Sequence, residues 1–172
     1  MTKYLSVIPL VFLLCLSFGC QQPGEEIAEE PAVGEEADIY AIREWVNGNF
    51  GAADSGDLEG YLTYWAEDVI WMPPNTPIMQ GKRAIMEFVQ PVLELYTIHR
   101  NFSIEEIKAD GNFAFARTNS EETYSPKAGE GESIKSNGKT MFLLKRMPDG
   151  TWQGTHCIWN SNDPLTPSEE DE

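Results

Sequence analysis

The stretch His99–Tyr124, HRNFSIEEIKADGNFAFARTNSEETY, decides the fold. Apolar and polar residues alternate on both sides of Asp110-Gly111, the pattern of two half-buried strands, Arg100 to Ala109 and Asn112 to Tyr124, joined by a tight turn. The same period returns in Lys139 to Met147 and in Thr151 to Ser161, with Pro148-Asp149-Gly150 between them and a polar loop from Ser125 to Gly138 before them. Strands joined in succession by such turns form an antiparallel meander.

Toward the N-terminus the period is helical. Ile39, Ile42, Trp45, Val46, Phe50 and Ala53 share a helix face, and Ser55-Gly56-Asp57 ends the run. Asp57 caps a second helix with Leu58, Tyr61, Leu62 and Trp65 on one side. Val69-Ile70-Trp71-Met72 reads as a short strand stopped by Pro73-Pro74. A third helix begins after Gly81 with Ile85, Phe88, Val89 and Val92 inward, and Pro91 is expected to end or kink it. Three helices followed by a curved antiparallel sheet predict an α+β fold with the helices packed on one face of the sheet.

The 172 residues carry 12 Lys and Arg against 28 Asp and Glu, a formal net charge of −16. That balance excludes a nucleic-acid partner bound through bulk charge, which needs clustered cations. The acids are unevenly placed: seven lie in residues 21–38 and five in 163–172, which leaves 16 against 11 bases in residues 39–162. The two flanking segments have no apolar period and read as a disordered tether and tail around a mildly acidic domain.

Residues 1–19 begin Met-Thr-Lys and continue as an uncharged apolar run from Tyr4 to Gly19, the pattern of a cleaved secretion signal. Its end, Leu16-Ser17-Phe18-Gly19-Cys20, resembles a bacterial lipobox. That resemblance implies lipidation at Cys20, a membrane partner through acyl chains and, with Gln21 next, the periplasmic face of the outer membrane in a Gram-negative host. Cys15 leaves with the signal, so Cys157 is the one thiol of the mature domain, and it reads as a small core residue.

Asp54-Ser55-Gly56-Asp57-Leu58, Tyr64-Trp65-Ala66-Glu67-Asp68, Gly81, Gly111-Asn112-Phe113-Ala114, Asp149-Gly150-Thr151-Trp152 and Trp159-Asn160, in this order, resemble the nuclear transport factor 2-like superfamily. The similarity is greatest to its SnoaL-like and ketosteroid-isomerase-like bacterial branches, including one of unassigned function. It organises the chain as signal peptide 1–19, tether 20–36, domain 37–162 and tail 163–172. It implies a cone in which a bent sheet wraps a long helix around a pocket, frequently in a homodimer. Such a fold hosts many reactions and implies none. The places where a ketosteroid isomerase holds its Asp base and its Tyr and protonated-Asp donors fall at Pro73, near Asn49 and near Phe142, so that catalytic set is vacant.

Candidate site residues follow from the strand period and the resemblance together. Period 2 puts Trp152, Gly154, His156, Ile158 and Asn160 on one face of the last strand and Gln153, Thr155, Cys157 and Trp159 on the other. The resemblance favours the first set inside, where His156 would be an acid-base group or a ligand contact; a bulge would swap the faces and put Trp159 inside. Arg117 shares a face with Phe113 and Phe115 and, if inward, needs a carboxylate partner such as Glu121, Glu67 or Asp68. Tyr64, Trp65, Trp71 and Met72 are expected around the pocket mouth, where an aromatic lining suits a flat apolar ligand. Two histidines and one cysteine without ligand spacing support no metal site, and no phosphate loop or other cofactor motif is present. Three functions are open: a membrane-anchored protein binding a small apolar or aromatic molecule, an isomerase, cyclase or dehydratase using His156, and a dimerisation module of an envelope assembly.

Overall fold

The alternation around Asp110-Gly111 becomes the longest hairpin of the fold, β3 (Tyr96–Asp110) and β4 (Phe113–Pro126), paired from Tyr96 with Pro126 down to Asp110 with Phe113. The computed structural model describes residues 33–129 and 131–163, so the signal, Cys20, most of the tether and nearly all of the acidic tail lie outside the described residues. Within them the order is α1 (Val33–Ser55), α2 (Leu58–Thr63), β1 (Trp65–Met72), β2 (Met79–Gln80), α3 (Lys82–Leu95), β3, β4, β5 (Ile134–Arg146) and β6 (Trp152–Ser161).

The six strands form one sheet in the order β2-β1-β6-β5-β4-β3. The antiparallel meander of the last four strands is as expected, but β1 lies parallel to β6, so the sheet is mixed. No hairpin constrains that pair, because α3 and four strands separate β1 from β6 in the chain.

Four boundaries differ from the sequence expectation, each for a local reason. Helix α1 begins at Val33, inside the acidic tether, and its first turn holds Glu35 and Glu36, where the helix dipole favours negative charge. The second helix stops at Thr63, and Trp65 opens β1. The Tyr64 carbonyl is taken by the Gly154 amide at 2.9 Å and by Trp45 Nε1 at 3.0 Å, which pulls the chain into the sheet. Helix α3 runs through Pro91 to Leu95. Pro91 and Glu87 are both exposed, so the carbonyl that proline leaves without an N–H meets water. The loop before β5 is shorter than expected, since β4 and β5 pair as far as Tyr124 with Ile134.

The core lies between α1, α2 and the inner face of the sheet. Trp65, fully buried, meets Trp45, Trp71 and Tyr61 edge-on at ring separations of 5.4, 5.2 and 5.9 Å. Gly154 on β6 lies under it, and a Cβ there would come within 2.7 Å of Trp65 Cε3 and 2.8 Å of Trp45 Cζ2. Glycine is required by that close approach.

One irregularity positions the site. On β5, Leu143 faces His156 and Leu144 faces Gly154, so β6 carries an extra residue at Thr155. This bulge reverses the facing of everything after it. Trp152 and Gly154 point inward before it; Cys157 points inward after it and Trp159 packs against the same core.

Candidate functional site

A cavity of about 420 Å³ opens between α1, α3 and the inner face of the sheet. One part of its wall is aromatic and aliphatic. Trp71 from β1, Phe88 from α3 and Trp159 from β6 meet edge-on at 5.2 Å for the tryptophan pair and 6.3 Å for each contact of Phe88. Val89, Val92 and Leu93 extend it along α3, while Phe50 and Phe142 close the floor. The α3 residues reach the cavity through the helical period beginning at Ile85, and Trp159 reaches it only because of the bulge.

The other part is polar. Asn49 from α1, Arg100 from β3 and Glu122 and Tyr124 from β4 line it. The Arg100 guanidinium lies over the Phe50 ring at 4.3 Å, and its Nε donates to Glu122 Oε1 at 2.9 Å. Arg100 Nη1 is 3.0 Å from Asp54 Oδ1 but too bent to form a hydrogen bond, so this contact is an ion pair alone. Glu122 Oε1 also accepts from Ser120 Oγ at 3.2 Å, and Glu122 Oε2 accepts from the Tyr124 hydroxyl. Asn49 Nδ2 and Trp71 Nε1 make no hydrogen bond to the protein.

Burial sets the electrostatics here. Desolvation lifts the Asp54 carboxyl above its ordinary range, with Arg100 opposing it. Burial works against the charge on Arg100, but Glu122 and Asp54 outweigh it and hold the guanidinium protonated. Tyr124 is pushed up by burial and by the neighbouring Glu122, so its hydroxyl stays neutral and donating. Burial likewise pushes the Cys157 thiol up, which makes it a poor nucleophile at neutral pH.

Of the residues proposed from the sequence, Trp71 lines this cavity. Trp65 is core behind it, and Tyr64 packs edge-on to Trp45 at 6.0 Å outside the cavity wall. Met72 pairs with Ile158 on the outer face of the sheet. Arg117 also faces outward, with its Nε 3.6 Å from Glu106 Oε2, a half-exposed ion pair with a partner other than those expected. His156 and Asn160 lie beyond the bulge on the outer face, where His156 Nδ1 is 3.1 Å from Thr155 Oγ1. An acid-base role for His156 inside the cavity is therefore corrected: the imidazole is on the opposite side of the sheet. Asn49 and Phe142, the two positions that the resemblance matched to isomerase donors, do line the cavity, and Pro73 does not.

Sequence reasoning missed Arg100 and Glu122, and placed Trp159 inside only on the bulged alternative, which is the one the structure takes. The signal was there for Arg100, which shares its parity with Ile98, Phe102 and Ile104 and so stands as a cation on an apolar face. A second hollow of about 360 Å³ lies on the outer face and is lined mainly by Asn101, Asn119, Asn137, Asn162 and Glu121. Among the described residues no group of His, Cys, Asp and Glu is placed to hold a metal ion.

Residues 42–153 match the family model described as the SnoaL-like domain. Among solved structures, a ketosteroid isomerase-like protein from Erwinia carotovora atroseptica is 23% identical, with a TM-score of 0.67 over 74% of this chain and 98% of that one. A conserved protein from Planctomyces limnophilus is 22% identical, with a TM-score of 0.68 over 73% of this chain and 98% of that one. A nuclear transport factor 2-like superfamily protein from Salmonella enterica serovar Typhimurium is 16% identical, with a TM-score of 0.65 over 78% and 97%. Likeness at these identities speaks to the fold. No curated protein matches the chain.

Proposed function

The chain belongs to the SnoaL-like domain family, and from that premise we propose that its cavity binds a small, largely apolar or aromatic molecule. The observation that carries this is the hollow itself: about 420 Å³, walled by Trp71, Phe88, Trp159 and the apolar residues of α3, with a small polar group at one end. That size and composition suit a ligand site. The positions that the resemblance matches to the isomerase triad are vacant, since Pro73, Asn49 and Phe142 supply neither a carboxylate base nor a carboxylic acid donor, and the cavity's own carboxylate, Glu122, is engaged by Arg100, Ser120 and Tyr124. Binding, without that chemistry, is the function these residues support.

The protein acts, on this proposal, at a membrane surface. Cys20 carries the lipid, and the acidic segment after it spaces the domain from the bilayer by charge repulsion. A second copy covers the outer sheet face, where Phe113, Met141, Leu143 and Ile158 leave an apolar row exposed. A native mass spectrum of the protein from its own host, with 2-acetylnaphthalene added, tests all three statements. The expected spectrum shows a dimer acylated at an N-terminal Cys20, taking up one naphthalene per chain. Absence of any naphthalene adduct overturns the binding function; an unmodified or internal Cys20 overturns the anchor, and a lone monomer overturns the pairing.

A further inference from the structure

We propose that the hollow on the outer face of the sheet is a binding site for a neutral saccharide, separate from the inner cavity and independent of what that cavity takes. The first ground is the residues that build it. Asn101 and Ser103 on β3, Asn119 and Glu121 on β4 and Asn137 on β5 are exposed and line about 360 Å³. The register sets them side by side: Asn101 and Asn137 flank Glu121 from the two neighbouring strands, and Ser103 lies across from Asn119. Asparagine is poorly suited to strands, because its amide competes for the backbone's own hydrogen bonds. Three of them at adjoining positions on one face work against the sheet, and a local conflict of that kind marks a functional surface. The apolar row of Phe113, Leu143 and Met141 occupies the other half of the same strands, so the outer face divides into an apolar end and an amide-rich end.

The second ground is that one wall is fixed in advance. Asn162 Nδ2 donates to Asn137 Oδ1 at 3.0 Å, Lys139 Nζ to Asn162 Oδ1 at 2.6 Å and the Asn162 amide to the Asn137 carbonyl at 2.7 Å. The end of β6 is thereby fastened to β5, and Gly138 permits the approach, since a Cβ there would lie 3.1 Å from the Asn160 carbonyl oxygen. Across the hollow, Asn101, Asn119 and Glu121 make no side-chain hydrogen bond to the described residues and are left for a ligand. The third ground is chemical type. A carboxamide offers donors and an acceptor together, and a hydroxyl does the same, so adjacent sugar hydroxyls match these amides in both senses. Among the described residues lining the hollow Glu121 alone is charged, and a ligand carboxylate would meet its like. Phe102 turns its ring inward onto Phe50 at 4.8 Å, so no aromatic or aliphatic side chain is left in the hollow to receive those of a peptide.

Four probes test this by following the asparagine side-chain amide signals of the labelled full chain at pH 7.5: cellobiose, N,N′-diacetylchitobiose, cellobiuronate and tetraalanine. Both neutral disaccharides are expected to move the Asn101, Asn119 and Asn137 signals to saturation while the Trp71 and Trp159 indole signals stay in place. Cellobiuronate is expected to bind about tenfold more weakly than cellobiose, and tetraalanine to leave the amides unmoved. Asn119→Val and Asn101→Thr put better strand formers at the two positions, so each is expected to keep or raise the urea midpoint while weakening disaccharide binding about tenfold. Failure of both neutral disaccharides to move the amides overturns the site, as does unchanged affinity in both variants. Tighter binding of cellobiuronate than of cellobiose, or saturable binding of tetraalanine, overturns the ligand class. A fall in the urea midpoint of both variants makes the asparagines structural and overturns their assignment to the site.

Discussion

Replacing Arg100 by methionine is expected to lower the stability of the fold by about 3–5 kcal/mol at neutral pH, the usual cost of removing one member of a buried ion group. The side chain is 8% exposed, and its loss leaves Glu122, 16% exposed, and Asp54, 25% exposed, as neighbouring carboxylates without their cation. Methionine fills a similar volume and keeps the contact with Phe50, so the loss reports charge more than packing. The sign with pH follows from Asp54. Burial already raises its folded-state pKa above the ordinary aspartate range, and Arg100 is the group pulling it back. An acid with a raised folded pKa contributes most below its unfolded pKa and loses that contribution as pH rises through the folded value. The deficit of Arg100→Met is thus expected to be smaller near pH 4 than at pH 7.5, as measured by urea unfolding at both. An equal deficit at the two pH values would mean that Asp54 does not feel Arg100.

Trp65→Ala is expected to cost a similar amount, about 3–5 kcal/mol, through the cavity that it leaves. No part of Trp65 reaches solvent, and its four edge-on or tilted ring contacts join α1, α2, β1 and β5. The site cannot collapse easily, because Gly154 beneath it has no side chain to move in and the neighbours are rigid rings. Denaturant unfolding of the variant gives the value directly. A loss below about 1 kcal/mol would show that the core rearranges around the gap.

The two arginines in alternating strands show what the sequence could and could not tell. Both Arg100 and Arg117 sit at period-2 positions, and parity had to be judged from neighbours. Phe113 and Phe115 look like core and drew Arg117 inward with them, yet Phe113 is 65% exposed. The inward residues of β4 are the small Ala114, Ala116, Thr118 and Ser120, and large rings of the adjoining core come from Phe50 and Phe142. In β6 the alternation was legible but its phase was not. An extra residue at Thr155 leaves no mark in the apolar pattern, and it moved His156 and Asn160 out and Trp159 in. The order of helices and strands, the hairpin at Asp110-Gly111 and Trp71 at the cavity were legible because each follows from a period or a turn that local sequence sets. Trp65 was not, since its spacing from Leu58, Tyr61 and Leu62 fits a helix face and only the pull of Gly154 on the Tyr64 carbonyl puts it in a strand.

The indole N–H resonances of the five tryptophans test the central claim most directly. Trp71 and Trp159 line the cavity, whereas Trp45 and Trp65 are core and Trp152 lies under Arg146, whose guanidinium is 4.5 Å from its ring. As 2-acetylnaphthalene is titrated into labelled protein, the Trp71 and Trp159 signals are expected to move together to saturation while the Trp152 signal stays in place. Five unmoved signals, or a shift confined to Trp152, would contradict a ligand site between α3 and the sheet.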